Sequence, residues 1–351
     1  MYTLKELLNK AIAMKASDLH LTVGLSPTVR CNGKLIGLGE EKLTISYTEK
    51  FSKEILGEKY KEYLSCGEFD TSYFVEGIGR FRVNVFKQKN NDAIAIRIID
   101  LKIPTLDELK HPIVIKDIIN KRRGLVLVTG PTGSGKSTTL AAIINEINNI
   151  REAHIITLED PIEYLHTHNK CIINQREIGK DSRSYKSALK AILREDPDVI
   201  LIGEMRDLET ISIAITAAET GHLVLSTLHT VGAANTIERI IDVFPPYQQQ
   251  QIRVQLSNSL IGVISQQLIP REDQQGRCVG LETMKMTPAI AHLIREEKTH
   301  QIYSHIQTGK LEDMMTMEQS LIEYYRKGWI SLERAYQFAQ NKEELKRLAG
   351  R

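Results

Sequence analysis

Gly130-Pro-Thr-Gly-Ser-Gly-Lys136-Ser137 sets glycines, a lysine and a hydroxyl at the spacing G-x-x-x-x-G-K-[ST]. Residues of these types at that spacing cradle the phosphates of a nucleotide. Glycines let consecutive backbone N–H groups curl around phosphate oxygens, and a following helix N-terminus adds partial positive charge. The candidate phosphate contacts are Gly130, Thr132, Gly133, Ser134, Gly135, Lys136, Ser137 and Thr138. Lys136 would reach the β- and γ-phosphates, and the Ser137 hydroxyl would ligate Mg2+. The apolar run Leu125-Val-Leu-Val before the loop and a helical pattern after it supply the context this motif needs.

Carboxylates follow at the ends of two further strand patterns. His154-Ile-Ile-Thr-Leu158 runs into Glu159-Asp160-Pro-Ile-Glu163, and Asp198-Val-Ile-Leu-Ile-Gly203 runs into Glu204. In an open α/β sheet, ligands bind at such carboxyl ends. Glu204, after four consecutive apolar residues, fits the base that orients an attacking water. A generic second nucleotide motif carries Asp where Gly203 stands, so the metal-side acid must come from elsewhere; Glu163 and Asp160 are the candidates. Thr220-Gly-His222 and Thr227-Leu-His229 bracket another apolar strand. They read either as structural histidines or as a sensor of phosphate state.

The elements that position these groups lie in a chain of 351 residues, 42% hydrophobic, with a formal net charge of +2. That size suggests two or three domains. The charge argues against a dedicated nucleic-acid binder. No run approaches the roughly 18 apolar residues of a membrane span, and Met1-Tyr-Thr-Leu-Lys-Glu lacks a signal-peptide pattern. Cys31, Cys66, Cys171 and Cys278 form no Cys-x-x-Cys pair, hence neither a disulfide framework nor a zinc site is expected. Leu4, Leu7, Leu8 and Ile12 predict an opening helix, residues 28–36 a hairpin turning at Asn32-Gly33, 48–56 a helix, and 69–75, 79–87 and 93–100 strands. A small α+β domain over 1–100 results, then a proline-bearing linker over 101–112. Apolar strands alternating with helices across 113–285 imply a parallel sheet covered on both faces. A helical region over 286–351 ends the chain.

Residues 130–139, 159–163, Gly203-Glu-Met-Arg-Asp207 and 216–229 resemble the four motif boxes of the secretion ATPases. These are the phosphate loop, an acidic box (Glu159, Asp160, Glu163), an atypical second nucleotide motif and a histidine box (His222, His229). Asn174-Gln-Arg-Glu, Ala191-Ile-Leu-Arg-Glu-Asp-Pro-Asp198 and Arg239-Ile-Ile-Asp242 extend the resemblance. Ala289-Ile-Ala-His-Leu-Ile-Arg-Glu296 is similar to the C-terminal signature of the pilus-retraction branch, with Ala291 and His292 where a basic or amide residue is expected.

The resemblance implies a PAS-like N-terminal domain and a RecA-like P-loop ATPase domain, assembled as a homohexamer using ATP and Mg2+. It implies pilus disassembly and twitching motility driven from the inner face of the cytoplasmic membrane. The partners would be the membrane platform protein and the pilus base, with no nucleic acid. Arg82 and Arg97 match two N-terminal arginines that the family sets on the nucleotide phosphates. The implied catalytic set is Glu204, Glu163, Arg82, Arg97 and His229, with the 101–112 linker as hinge.

Extension and type II assembly ATPases are the nearest rivals. They are usually longer and often carry the Cys-x-x-Cys insertion this chain lacks. A nucleotide-dependent scaffold, a P-loop kinase and a nucleic-acid translocase are more distant ones. Arg194 and Arg206 read as interface or ion-pair residues, and Lys121-Arg-Arg123 as a linker cap or a nucleotide contact. Ile290, Leu293 and Ile294 form an apolar face that either packs on the core or couples ATP turnover to retraction.

Overall fold

Thr3 caps the first helix, α1 (Leu4–Ala13): its hydroxyl takes the Glu6 N–H while the Glu6 carboxylate takes the Thr3 N–H. Two of the N–H groups a helix start leaves open are thereby satisfied. Leu4, Leu7, Leu8 and Ala11 form the buried stripe; Ile12 stays exposed. The computed structural model describes residues 2–31, 33–99, 103–112, 114–273 and 276–350. These divide into two units, Met1–Lys102 and Ile103–Arg351.

After α1, the first unit contains β1 (Asp18–Leu21), β2 (Thr28–Cys31), β3 (Lys34–Gly37), α2 (Ile45–Leu56), α3 (Tyr60–Cys66), β4 (Glu68–Val75), β5 (Gly79–Gln88) and β6 (Asn91–Ile98). Its strands pair antiparallel in the order β3-β2-β1-β6-β5-β4. Phe81, Val83 and Val85, two residues apart, join Leu19, Ile94, Ile96, Phe51 and Tyr63 in one core. The register Cys31↔Lys34 agrees with the expected hairpin, whose Asn32 lies outside the described residues.

The second unit begins earlier than the sequence pattern suggests. Residues 103–112, expected as part of a linker, pack within it; the remaining linker residues 101 and 102 lie outside the described residues. Leu106 is buried against Ile115, Ile118 and Ile143, and Lys116 pairs with Asp107 at 3.0 Å. His111 is the tightest tie. Thr139 donates to Gln266 Oε1 (2.9 Å), so His111 Nε2, 3.0 Å from Thr139 Oγ1, must be the protonated nitrogen. Its Nδ1 is buried without a partner among the described residues.

From there run α4 (Val114–Ile119), β7 (Gly124–Thr129), α5 (Lys136–Ile150), β8 (His154–Glu159), β9 (Ile172–Glu177), α6 (Tyr185–Ile192), β10 (Val199–Ile202), α7 (Leu208–Glu219) and β11 (Leu223–Leu228). Next are α8 (Ala233–Asp242), α9 (Pro246–Ser259), β12 (Leu260–Pro270), β13 (Arg277–Lys285), α10 (Pro288–Arg295), α11 (Ile302–Thr308), α12 (Met317–Arg326), α13 (Leu332–Phe338) and α14 (Lys342–Leu348). The sheet runs β13-β12-β7-β11-β10-β8-β9, parallel except for the β12–β13 hairpin at one edge. Wholly buried strands such as β7, β10 and β11 suit its middle, where helices cover both faces.

The C-terminal helices split between two cores rather than forming a domain of their own. Ile290, Leu293 and Ile294 of α10 lie in a core cluster with Met284 and Ile302, so this apolar face packs on the core. Helices α12–α14 gather around Met317, Leu321, Ala335 and Leu345. There the single tryptophan, Trp329, stacks on Tyr324 and carries the cations of Lys110 and Arg271 at 4.4 and 4.2 Å from its ring centroid.

Truncating fully buried Ile294 to Ala should cost about 2–5 kcal/mol of stability, read as a lowered melting temperature. Burial lowers the His111 pKa from 6.5 to about 4. Stability contributed by the neutral ring is therefore complete above pH 6.5 and is lost as pH falls towards 4. Between pH 7 and 4.5, His111→Gln should lose about 2–3 kcal/mol less unfolding free energy than the parent chain. Equal losses in denaturant titrations at the two pH values would refute this assignment.

Candidate active site

Strand β7 delivers the phosphate loop at its carboxyl end, held between parallel neighbours β11 and β12. Gly130 has φ +141°, and a Cβ there would fall on the Gln266 carbonyl oxygen. Only glycine fits that crossing. Beneath the loop, the buried Gln266 carboxamide donates from Nε2 to Ser134 O (2.7 Å) and accepts at Oε1 from Thr139 (2.9 Å). Lys136 opens α5, and its Nζ donates to Gly130 O (2.9 Å) and Pro131 O (3.1 Å) across the loop. Burial lowers the Lys136 pKa, while the charges of Glu204 and Glu163 oppose that shift. Lysine and both acids thus share one electrostatic neighbourhood. Thr132 and Gly133 are exposed, Ser137 half-buried, and Thr138 Oγ1 lies 2.9 Å from the Tyr164 hydroxyl.

The acidic box divides into a support and two exposed acids. Glu159 Oε1 accepts from Thr157 Oγ1 (2.7 Å) and Gln175 Nε2 (3.3 Å), tying the carboxylate to β9; burial raises its pKa. Asp160 and Glu163 remain exposed on the loop after β8. Glu204 sits just beyond β10, its Oε1 paired with Arg206 and its Oε2 3.2 Å from His229 Nε2. Arg206 is therefore an ion-pair residue within this site, and Arg194 is exposed.

Gly203 shows why the expected aspartate is missing. A Cβ there would meet the Tyr185 hydroxyl at 2.9 Å and Leu158 O at 3.2 Å. Burial raises the Tyr185 pKa, and Asp160, Glu204 and Glu159 add to the shift, so a neutral phenol occupies the space among three acids. Among the described residues no group of three or more His, Cys, Asp or Glu side chains is placed to hold a metal ion. One hydroxyl at Ser137 with acids at a distance suits Mg2+, which keeps several waters and takes phosphate oxygens.

Two expectations move away from the loop. His222 stands at the opening end of β11, as expected of a bracketing pair: its carbonyl accepts from Gly124 N (2.9 Å) and its Nδ1 lies 2.9 Å from Ala217 O. Because β11 and β7 are parallel, that end of the sheet is opposite the phosphate loop, and only His229 of the pair joins Glu204. Lys121-Arg-Arg123 shares the far end, where Arg151 donates to Lys121 O at 3.0 Å, so it is no nucleotide contact within this unit. In the first unit, Arg82 and Arg97 oppose each other across β5 and β6, and Arg97 Nε contacts Asp18 Oδ1 at 3.1 Å.

A family model described as type II/IV secretion system protein matches residues 75–349. The chain belongs to that family. Among the type II/IV secretion proteins, the type IV pilus retraction ATPase PilT of Pseudomonas aeruginosa is 47% identical over 336 residues, 95% of this chain and 97% of that one. A twitching motility protein of Neisseria gonorrhoeae is 44% identical over 339 residues, 95% and 91% of the two chains. The crystal structure of the pilus retraction motor PilT with bound ADP matches with a TM-score of 0.94 at 46% identity, covering 99% of this chain and 100% of that one. The second unit accordingly has the RecA-like α/β fold of these secretion-family proteins, and the first is its smaller α+β PAS-like companion.

Gln266 and Tyr185 carry no motif signature and were not legible as site residues. Their one sequence signal is a polar or hydroxyl-bearing side chain inside an apolar pattern. Gly203→Ala should cost about 1–3 kcal/mol through overpacking. In a Tyr185→Phe background the cost should shrink by at least about 0.5 kcal/mol, as thermal melts of the four-variant cycle would show. Strict additivity would mean the hydroxyl is not what fills the space.

Proposed function

We infer that the chain is a P-loop ATPase whose hydrolysis of ATP powers retraction of a type IV pilus. The observation that carries this reading is Glu204, set at the end of β10 between Arg206 and His229 and in electrostatic reach of Lys136. In-line attack of water on a γ-phosphate needs a group to orient the water and cations to offset charge on the phosphoryl oxygens. Glu204 supplies the first. Lys136 and the backbone N–H groups of the loop supply the second. His229 turns the Glu204 carboxylate and registers whether the γ-phosphate is present. Ser137, with Glu163 or Asp160, would hold Mg2+, which would neutralise phosphate charge when bound.

The remaining parts of the proposal rest on the family likeness. Arg82 and Arg97 meet the phosphates in the assembled enzyme, and the exposed face they share suits that role. The hinge narrows from 101–112 to the boundary between the two units, because 103–112 is packed into the second. Six copies form the ring. It docks on a platform protein at the inner face of the cytoplasmic membrane, beneath the pilus base; among the described residues no helix is long and apolar enough to cross a membrane. Extension or type II assembly is the alternative. The absence of a Cys-x-x-Cys pair and the retraction-type stretch at 289–296 favour retraction.

Glu204→Gln should lower phosphate release at least about 100-fold while ATP binding, followed with a fluorescent analogue, stays within a few-fold of the parent. Near-normal turnover by that variant excludes Glu204 as the water-orienting group. Deleting the gene should leave excess surface pili; pilus loss would point to extension.

A further inference from the structure

Directly after His229 the chain turns through Thr230, Val231 and Gly232 into α8, and that turn is held from beneath by two neighbouring strands. Gly232 N–H donates to Ser265 Oγ of β12 at 2.9 Å, and Ala233 N–H donates to Glu282 Oε1 of β13 at 2.7 Å. Ser265 and Glu282 are register partners, so the two acceptors stand side by side. Thr236 closes the turn from above, donating to Gly232 O at 2.7 Å and contacting Thr230 Oγ1 at 2.7 Å. Gly232 itself has φ +88°, and a Cβ on it would lie 2.6 Å from Gln340 Oε1. The turn therefore has no slack.

Glu282 is 2% exposed and Glu318, at the start of α12, is 0% exposed. Burying two carboxylates together is costly unless each has a specific partner. Glu318 has three: the N–H groups of Gln340 (2.8 Å) and Asn341 (2.7 Å) on Oε1, and the Tyr303 hydroxyl (2.9 Å) on Oε2. Glu282 has the Ala233 N–H on Oε1, and the Met317 N–H, one residue before Glu318, also favours its charged form. Apolar packing alone would have filled this position more cheaply, so the carboxyl must serve the N–H groups that face it.

We propose that Glu282 is a positioning residue for hydrolysis: it fixes the turn that aims His229 at Glu204, while the neighbouring Glu318 holds the 340–341 turn leading into α14. Burial, offset by the Ala233 and Met317 N–H groups and reinforced by Glu318, raises the Glu282 carboxyl to about 7. In its protonated form the carboxyl keeps Oε1 free to accept from Ala233, with the proton on Oε2. Glutamine reproduces that arrangement and leucine does not. The inference rests on the reading of His229 given above.

Four variants of the full chain test it: His229→Ala, Glu282→Leu, Glu282→Gln and Ser265→Ala, each melted to verify folding. Glu282→Leu should lower kcat about tenfold while the Kd of a fluorescent ADP analogue changes less than twofold. Glu282→Gln should recover at least half of the parent rate, and Ser265→Ala should lower kcat in the same direction as Glu282→Leu. In the His229→Ala background, Glu282→Leu should cost less than a further twofold. Should Glu282→Leu fail to fold, Ser265→Ala in both backgrounds gives the same comparison. A wild-type rate for His229→Ala overturns the role of His229 and this proposal with it. A lowered His229→Ala rate beside an unaffected, or fully additive, Glu282→Leu overturns this proposal alone.

Discussion

One buried carboxamide governs the geometry of the nucleotide end of the second unit. Gln266 must satisfy its N–H and its oxygen inside the protein, and both go to the phosphate loop and the helix it feeds. An unpaired group there would cost about 1–3 kcal/mol, so loop and strand hold each other in place. The alternation of a strand then does the rest. Ser265, one residue earlier on β12, faces the other way and holds the turn after the histidine box. A single strand thus sets two loops of the candidate site, the phosphate loop and the turn after His229.

The site was legible wherever its chemistry is local. The phosphate loop, the acids after β8 and β10, and His229 all sit within a few residues of an apolar strand whose end the pattern locates. What the sequence could not reveal is long-range. Gln266 lies 132 residues from the Ser134 carbonyl it serves, and no spacing rule spans that distance. His222 was read with His229 because both flank one strand, but a parallel strand has one end at the ligand and one away from it. Residues 103–112 look like a linker by composition; Leu106 and His111 nevertheless pack into the second unit. The hairpin of β12 and β13 escaped because its pairing partner for β7 is distant in the chain.

Gly203 illustrates a departure with a physical cause. The residue that would normally carry a metal-side acid has no room for a Cβ, because Tyr185 and Leu158 already occupy the space. Negative charge is consequently moved outward to Asp160, Glu163 and Glu204, and a phenol fills the interior position. Asp160 and Glu163 stay exposed, and the strand end stays tightly packed.

Trp329 gives the molecule an optical address. It is the chain's only tryptophan, and Lys110 from the first stretch of the second unit and Arg271 from beyond β12 both lie over its ring. Its emission therefore comes from one spot, where the entrance of the unit meets its last helices. Any loosening there changes the polarity and the nearby charges sensed by a single indole, and no second indole blurs the signal. The fold thus carries its own reporter at the junction between the incoming chain and the C-terminal helices.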